Sequence, residues 1–468
     1  MKIKFGTDGW RAIIAKEFTN YNVARITYGV ANWLKQTKPN SVLNTNSKSK
    51  VVIGFDCRFA GKQFMDVVSK VLLHEGIETI IYNQPITTPA ISLAAKELDC
   101  DLGIILTASH NPANYNGYKL KGAFGGPLLA EAISEIEELI PDNISYEFEA
   151  FDNNSTQEVD LKKLYLDKIH MSFDIEAIRN SGLNLSYDAM YGSGQFIMQE
   201  LFPNADLFRC EWNPTFFGIN PEPVLKNLGA YQNHLQDTPN LDFGLVNDGD
   251  ADRIGLFDGE GNYIDSHNII LLLLHYLYNY KGWKGKVATG FSSTVKITQF
   301  CKMHNLELEV VPIGFKHICS LMVNEDILVG GEESGGIAVK GHIPERDGIW
   351  NGLVLIQAMM ETKKTLPELL KEVTDLVGSF AFQRIDLKLS QAKKQEVVSN
   401  CKAGKYSSFG NWKVERIEDL DGWKYYFNAD EWLMIRPSGT EPVLRTYAEG
   451  RTEERAKEIL ENCHYQIL

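Results

Sequence analysis

Long hydrophobic runs, paired cysteines and an excess of basic charge are all missing from this 468-residue sequence. A membrane span takes about 20 apolar residues. The most apolar stretch here, Ile269 to Leu274, stops before His275 and reads as a buried helix. The start, Met-Lys-Ile-Lys-Phe-Gly-Thr-Asp-Gly-Trp-Arg, lacks the apolar core of a signal peptide. Seven cysteines (57, 100, 210, 301, 319, 401 and 463) contain no C-x-x-C pair and are odd in number. That excludes a small disulfide scaffold and fits free thiols in a reducing cytoplasm. Lys and Arg total 47 against 61 Asp and Glu, a net charge of −14. Such a balance argues against nucleic acid and membrane partners. An anionic substrate stays open, because a local pocket can oppose the global sign.

What is present is an ordinary soluble composition, 44% hydrophobic and 23% charged, which excludes long-range disorder and collagen-like repeats. At about 100–200 residues per domain, the length predicts two to four domains. Strand-like runs at 51–55, 77–82 and 102–106 alternate with helical patterns ending near His74 and covering 90–98. This alternation predicts a mostly parallel sheet. Residues 141–160 are rich in Asn, Asp, Glu and Ser and read as a linker. A second α/β block carries strands at 183–190 and 243–247, with a helix at 195–201. A third carries strands at 286–290, 307–312 and 327–331, then a helix over 350–363. The last part differs: strands at 384–389, 412–417 and 423–428 and a helix from about Thr452 predict a smaller α+β domain. The expected domains are 1–150, 151–260, 261–375 and 376–468.

Four segments carry chemistry. Asp248, Asp250 and Asp252 alternate directly after a predicted strand. Alternate side chains of an extended segment point the same way, and clustered carboxylates repel unless a cation sits among them. Oxygen ligands of this kind suit Mg²⁺ or Mn²⁺; a solvated acidic turn is the alternative. An EF-hand is excluded, since Arg253 and Gly259 stand where its Gly and Glu belong. Ser109 follows the strand at 102–106 and precedes His110, Asn111 and Pro112. Strand C-termini are where α/β sheets place reactive groups. The setting is not G-x-S-x-G, so a hydrolase elbow is unsupported. A phosphoryl carrier and an ordinary turn both fit. Gly330-Gly331-Glu332-Glu333-Ser334-Gly335-Gly336 fits a sugar-hydroxyl loop or a flexible turn. Arg436-Pro437-Ser438-Gly439-Thr440-Glu441-Pro442, with Arg445 nearby, has the charge and hydroxyls of a phosphate pocket. No Walker A motif is present.

Together, in this order, these segments and Phe5-Gly6-Thr7-Asp8-Gly9-Trp10-Arg11 resemble the α-D-phosphohexomutase family over nearly the whole chain. The resemblance implies an α/β fold of four domains around a central cleft: three α/β domains with mixed or parallel sheets and a smaller α+β C-terminal domain. It implies that Ser109 carries a phosphoryl group exchanged with a hexose phosphate through a hexose 1,6-bisphosphate. Mg²⁺ would be held by Asp248, Asp250, Asp252 and the phosphorylated Ser109. Arg11, His110 and Arg253 would line the transfer site, and Lys119 would be a general base of lowered pKa or else a phosphate-steering cation. Gly314, Lys316, Glu332, Ser334 and Arg346 would border or contact the sugar. Arg436, Ser438, Gly439, Thr440 and Arg445 would clamp the phosphate that is not transferred. Some members end the sugar loop in His where this chain has Gly336; Lys316, His342 or Arg346 would replace its charge. The loop Gly-Glu-Glu-Ser-Gly-Gly resembles glucose- and mannose-phosphate mutases more than phosphoglucosamine mutases. The expectation is therefore a cytoplasmic phosphohexomutase, monomeric or weakly dimeric, acting on a small sugar phosphate. A phosphoglucosamine mutase, a metal-dependent sugar phosphatase and a non-catalytic sugar-phosphate binder are the alternatives.

Overall fold

In Leu102–Leu106 and Phe243–Asn247, apolar residues run without polar alternation and every position is buried. That is the pattern of strands covered on both faces. The computed structural model describes residues 2–6, 8–37, 48–438 and 443–468. It divides into two compact units, 1–284 with 314–367 and 285–313 with 368–468.

The first unit holds a seven-stranded sheet in the order Trp10–Ile13, Tyr115–Gly122, Leu102–Leu106, Lys50–Phe55, Glu78–Ile81, Gln157–Glu158, with Gly126–Pro127 beside Tyr115–Gly122. The four strands from Leu102–Leu106 to Gln157–Glu158 are parallel. Tyr115–Gly122 pairs antiparallel with both its neighbours, so the predicted mostly parallel sheet is mixed. The reason is chain length. Only residues 107–114 separate it from Leu102–Leu106, too few for a parallel crossover of about a dozen residues. The segment at 141–160, expected as a linker, has structure of its own. It anchors itself through the fully buried Phe148 of the 3₁₀ turn Tyr146–Ala150 and adds the edge strand Gln157–Glu158.

A second sheet of this unit runs Tyr263–Ile264, Ile254–Asp258, Phe243–Asn247, Leu185–Asp188, Asp206–Phe208, with the last three parallel. Ile327–Gly331 pairs antiparallel with Ile337–Val339. Residues 269–274 lie in the helix Ser266–His275, buried throughout. Among the described residues no helix is long and apolar enough to cross a membrane.

In the second unit, Lys286–Gly290 pairs in parallel with Leu308–Val311. A five-stranded antiparallel sheet runs Ala381–Lys388, Val443–Gly450, Trp432–Pro437, Trp423–Tyr426, Arg416–Glu418. The single strand expected at 412–417 is two. Trp412–Lys413 pairs with Ser408–Phe409, whereas Arg416–Glu418 pairs with Trp423–Tyr426. The chain changes partner between them: Val414 N donates to Ser407 O and Glu415 N to Tyr426 O. The helix Glu453–Ile467 begins where expected, its first turn capped by the Thr452 hydroxyl.

Candidate active site

Ser109 stands three residues beyond the strand Leu102–Leu106, buried, with a left-handed φ of +53°. Non-glycine residues seldom occupy that region, and the surrounding contacts must hold them there. Ser109 N donates to Thr107 Oγ1 at 2.9 Å. Its Oγ donates to Asp248 Oδ2 at 2.7 Å and lies 3.2 Å from His110 Nδ1. Burial, then Arg253, Arg11, Lys119 and Arg58, push His110 well below the ordinary histidine value, so its imidazole is neutral.

Asp248 follows Phe243–Asn247 directly, so the ends of two buried strands bring the serine and the acidic loop together. Gly249 makes this approach possible, because a Cβ there would lie 2.5 Å from Ser109 O. The loop is tied down on several sides. Thr88 N donates to Asp250 O, Ser193 N to Gly249 O and Gly348 N to Ala251 O, each at 3.0 Å. Asp248, Asp250 and Asp252 are all buried, and one oxygen of each lies within 4.8 Å of the others. Asp250 Oδ1 and Asp252 Oδ1 have no hydrogen-bond partner. Burial, then Asp250 and Asp252, raises the Asp248 carboxyl well above its usual range. Buried carboxylate oxygens left unpaired are costly, and hard oxygen donors so arranged fit a divalent cation such as Mg²⁺.

Lys119 lies on Tyr115–Gly122, fully buried, with Nζ 2.9 Å from Asp8 Oδ2, 2.8 Å from Asp250 Oδ2 and 3.1 Å from Asp252 Oδ2. A base of lowered pKa was expected here. Burial alone does act in that direction, but Asp250, Asp252 and Asp8 outweigh it and raise the lysine above its ordinary value. In this arrangement Lys119 is a cation. It holds Asp250 below the usual carboxylate value against the opposing effect of burial.

Arg346 Nη2 lies 2.7 Å from Asp252 Oδ2 and also pairs with Asp8, with the guanidinium 5.3 Å from the Phe315 ring centre. Arg11, on Trp10–Ile13, donates from Nη1 to Asn111 Oδ1 at 2.9 Å. Arg253 Nη1 lies 3.5 Å from Glu222 Oε1, and its Nε has no hydrogen-bond partner. Glu332 accepts from Gly314 N at 2.7 Å. Burial, then Glu333, pushes its carboxyl up to about 7. Ser334 is half-buried in the turn closed by Gly335 N to Glu332 O at 3.2 Å. Lys316 is half-buried in the helix Phe315–Asn324. His342 lies elsewhere: its Nε2 is 2.9 Å from Asp347 Oδ2 and its ring stacks on Trp350.

In the second unit, Arg436 and Arg445 stand directly opposite each other on paired antiparallel strands. Arg436 Nε donates to Asp421 Oδ1 at 2.9 Å, and Arg445 Nε lies 3.7 Å from Asp386 Oδ2. Like charges opposite one another cost stability and suit an anion. Ser438 O accepts from Lys394 Nζ at 2.5 Å. Gly439 and Thr440 lie outside the described residues.

Residues 2–147, 163–261 and 265–377 match the phosphoglucomutase/phosphomannomutase alpha/beta/alpha domains I, II and III, and residues 357–463 match the C-terminal domain of that family. The chain belongs to the α-D-phosphohexomutase family. It has that family's four domains and is an intramolecular phosphotransferase, an isomerase. It is 28% identical to a phosphoglucomutase/phosphomannomutase of Thermococcus kodakarensis, over 98% of this chain and 96% of the relative. It is 29% identical to a phosphoglucosamine mutase of Limosilactobacillus reuteri, over 98% and 97%. The crystal structure of a putative phosphomannomutase from Thermus thermophilus superposes with a TM-score of 0.87 at 29% identity, covering 100% of this chain and 99% of that one.

Several residues of this phosphohexomutase site escaped sequence reasoning. Asp8 bridges Lys119 and Arg346, Thr88 Oγ1 donates to Asp250 Oδ2 at 2.6 Å, and Glu222 faces Arg253. Lys121 Nζ and Ser92 Oγ both donate to Glu345 Oε2, at 2.7 and 2.8 Å, beside Arg346. Arg58 binds the serine loop from behind. Lys121 sits on the buried strand Tyr115–Gly122 and Arg58 follows Lys50–Phe55, which was the available signal for those two; the others lie on a helix or in loops. Their partners are far off in sequence and gave none.

Proposed function

We propose that this phosphohexomutase interconverts glucose 1-phosphate and glucose 6-phosphate, with mannose phosphates as second substrates, through phosphorylated Ser109 and a hexose 1,6-bisphosphate. The observation that carries the reading is the 2.7 Å hydrogen bond from Ser109 Oγ to Asp248, inside a cluster of three buried carboxylates with two unpartnered oxygens. Phosphoryl transfer asks mainly for positioning and charge neutralisation. In the first half-reaction the P–O bond to Ser109 Oγ breaks, a bond to the free sugar hydroxyl forms, and that hydroxyl's proton ends on Ser109. The second half-reaction reverses this with the other phosphate of the bisphosphate. Arg11 and Arg253 meet the transferred group's charge, and neutral His110 lies in reach of the Ser109 proton. Lys119 acts as a cation that orders Asp8, Asp250 and Asp252. Bound at Asp248, Asp250 and Asp252, Mg²⁺ would supply charge neutralisation at the transferred phosphoryl group.

Glu332 and Ser334 are assigned to the sugar hydroxyls, with Gly314, Lys316 and Arg346 as bordering groups. Arg436, Ser438, Gly439, Thr440 and Arg445 are assigned to the other phosphate, supported by the facing Arg436–Arg445 pair. A phosphate clamp of this kind favours retaining the bisphosphate over releasing phosphate to water. The seven cysteines are unpaired, in keeping with a cytoplasmic enzyme. A second reading, phosphoglucosamine mutase, is favoured by the names of several relatives, among them those of Limosilactobacillus reuteri and Bacillus cereus. A coupled assay comparing kcat/KM for glucose, mannose and glucosamine 1-phosphates decides. Glucose is expected to lead; a clear lead for glucosamine replaces the first reading with the second.

A further inference from the structure

Arg58 belongs to none of the groups assigned above, yet it is 2% exposed and wholly engaged with the loop that carries Ser109. Its Nη2 donates to Ser109 O at 2.6 Å and Asn111 O at 2.7 Å. Its Nη1 donates to Pro112 O at 2.8 Å and Tyr115 O at 3.1 Å. The Phe216 ring lies 5.0 Å from the guanidinium, and Nε is 3.2 Å from Asp56 Oδ2. Asp56 accepts from Arg58 N at 2.9 Å through Oδ1 and from the Thr107 hydroxyl at 2.5 Å through Oδ2. Thr107 Oγ1 in turn accepts from Ser109 N at 2.9 Å. The main-chain donor and acceptor of Ser109 are thus both fixed from one short segment, Asp56 to Arg58, at the end of the strand Lys50–Phe55.

We propose that Arg58 and Asp56 are positioning residues for the phosphoryl carrier. They hold Ser109 at its left-handed φ of +53°, so that its Oγ stays aimed at Asp248. A serine left to itself returns to negative φ, which swings Oγ away from the acidic loop. Only a planar fork of several donors spans four carbonyls at once; a lysine in its place carries the charge but not the geometry. The pair therefore acts on the transfer rate and leaves sugar binding alone. This inference rests on the reading of Ser109 as the residue that carries phosphate.

The test uses the full-length enzyme with Mg²⁺ and glucose 1,6-bisphosphate, following phosphate uptake by intact mass and locating it by peptide mapping. Two variants are compared, Arg58→Lys and Thr107→Val. The second keeps the side-chain volume and removes only the hydroxyl between Asp56 and Ser109 N. If Arg58→Lys fails to fold, Thr107→Val decides. A misplacement of the reacting atom predicts roughly 100-fold slower loading of Ser109 in Arg58→Lys. Loss of the two hydrogen bonds of the Thr107 hydroxyl, to Asp56 Oδ2 and from Ser109 N, predicts about 30-fold in Thr107→Val. KM for glucose 1-phosphate should stay near the wild-type value in both. Loading at the wild-type rate in folded variants, or a raised KM with kcat unchanged, overturns the positioning role. If the wild-type enzyme takes its phosphate elsewhere than Ser109, the parent reading fails and this one with it.

Discussion

Gly336 and Arg346 claim one volume: a Cβ on Gly336 would stand 2.4 Å from Arg346 Cδ and 3.2 Å from its Cγ. The sequence left Lys316, His342 and Arg346 as candidates for the charge that some phosphohexomutases supply by a histidine at this position. His342 is engaged by Asp347 and Trp350, whereas Arg346 lies against Gly336 and reaches Asp252 and Asp8. Gly336 has an ordinary negative-φ backbone, so the conflict in Gly336→Ala is purely steric. The variant is expected to fold and to lose about 10- to 100-fold in kcat/KM as Arg346 is displaced. Steady-state kinetics check this, and unchanged kinetics would mean that Arg346 yields without consequence.

Ser109→Ala removes the oxygen proposed to accept the phosphoryl group and nothing that the strand Leu102–Leu106 needs for packing. Mutase turnover should fall to background while the thermal transition stays cooperative. Intact mass should show no phosphate on this variant after exposure to a hexose 1,6-bisphosphate. Normal turnover would dismiss Ser109 as the carrier.

The acidic loop predicts two opposite responses to a divalent cation. Asp250→Asn removes one charge from the three-carboxylate cluster, so the Mg²⁺ concentration for half-maximal activity should rise at least about tenfold. Lys119→Met leaves Asp250 without its ion-pair partner, while Asp8 and Asp252 keep Arg346, and breaking a buried pair costs about 3–5 kcal/mol. In chelator the melting temperature of Lys119→Met should drop clearly below wild type, and Mg²⁺ should recover part of the loss because it binds the folded state. A melting temperature indifferent to both changes contradicts the coupling of Lys119 to the loop.

Glu332 titrates near 7 because burial, then Glu333, disfavours its charged form. Its folded value lies above the usual value of about 4.3, so the folded state holds the proton longer and Glu332 costs stability as pH rises through that interval. The ionised form is the stronger acceptor for the sugar hydroxyls proposed to bind it. KM for the sugar phosphate should therefore fall as pH rises through about 7. In Glu332→Gln that component of the pH profile should vanish, leaving only the titration of the substrate phosphate. Identical profiles for both proteins would remove Glu332 from sugar binding.

Order along the chain was enough to recognise the family, because loops that follow buried strands keep their chemistry in short segments. The strands Phe243–Asn247 and Leu102–Leu106 could be read directly from their continuous apolar runs, whereas Asp248, Asp250, Asp252 and Ser109 each also fitted an ordinary turn and took their meaning only from the order of all the segments. What each group does once folded was not local. Lys119 looked like a base to be tuned downward, but Asp8, more than 100 positions away, and Asp250 and Asp252, still farther, surround it and reverse the shift. The packing of Arg346 against Gly336, and the hydrogen bonds of Arg58 to the Ser109 loop, likewise depend on contacts that no spacing encodes. Residue types and their order therefore determined which chemistry this protein carries. The tertiary structure decided protonation, pairing and aim, because those depend on which charges share a dry interior.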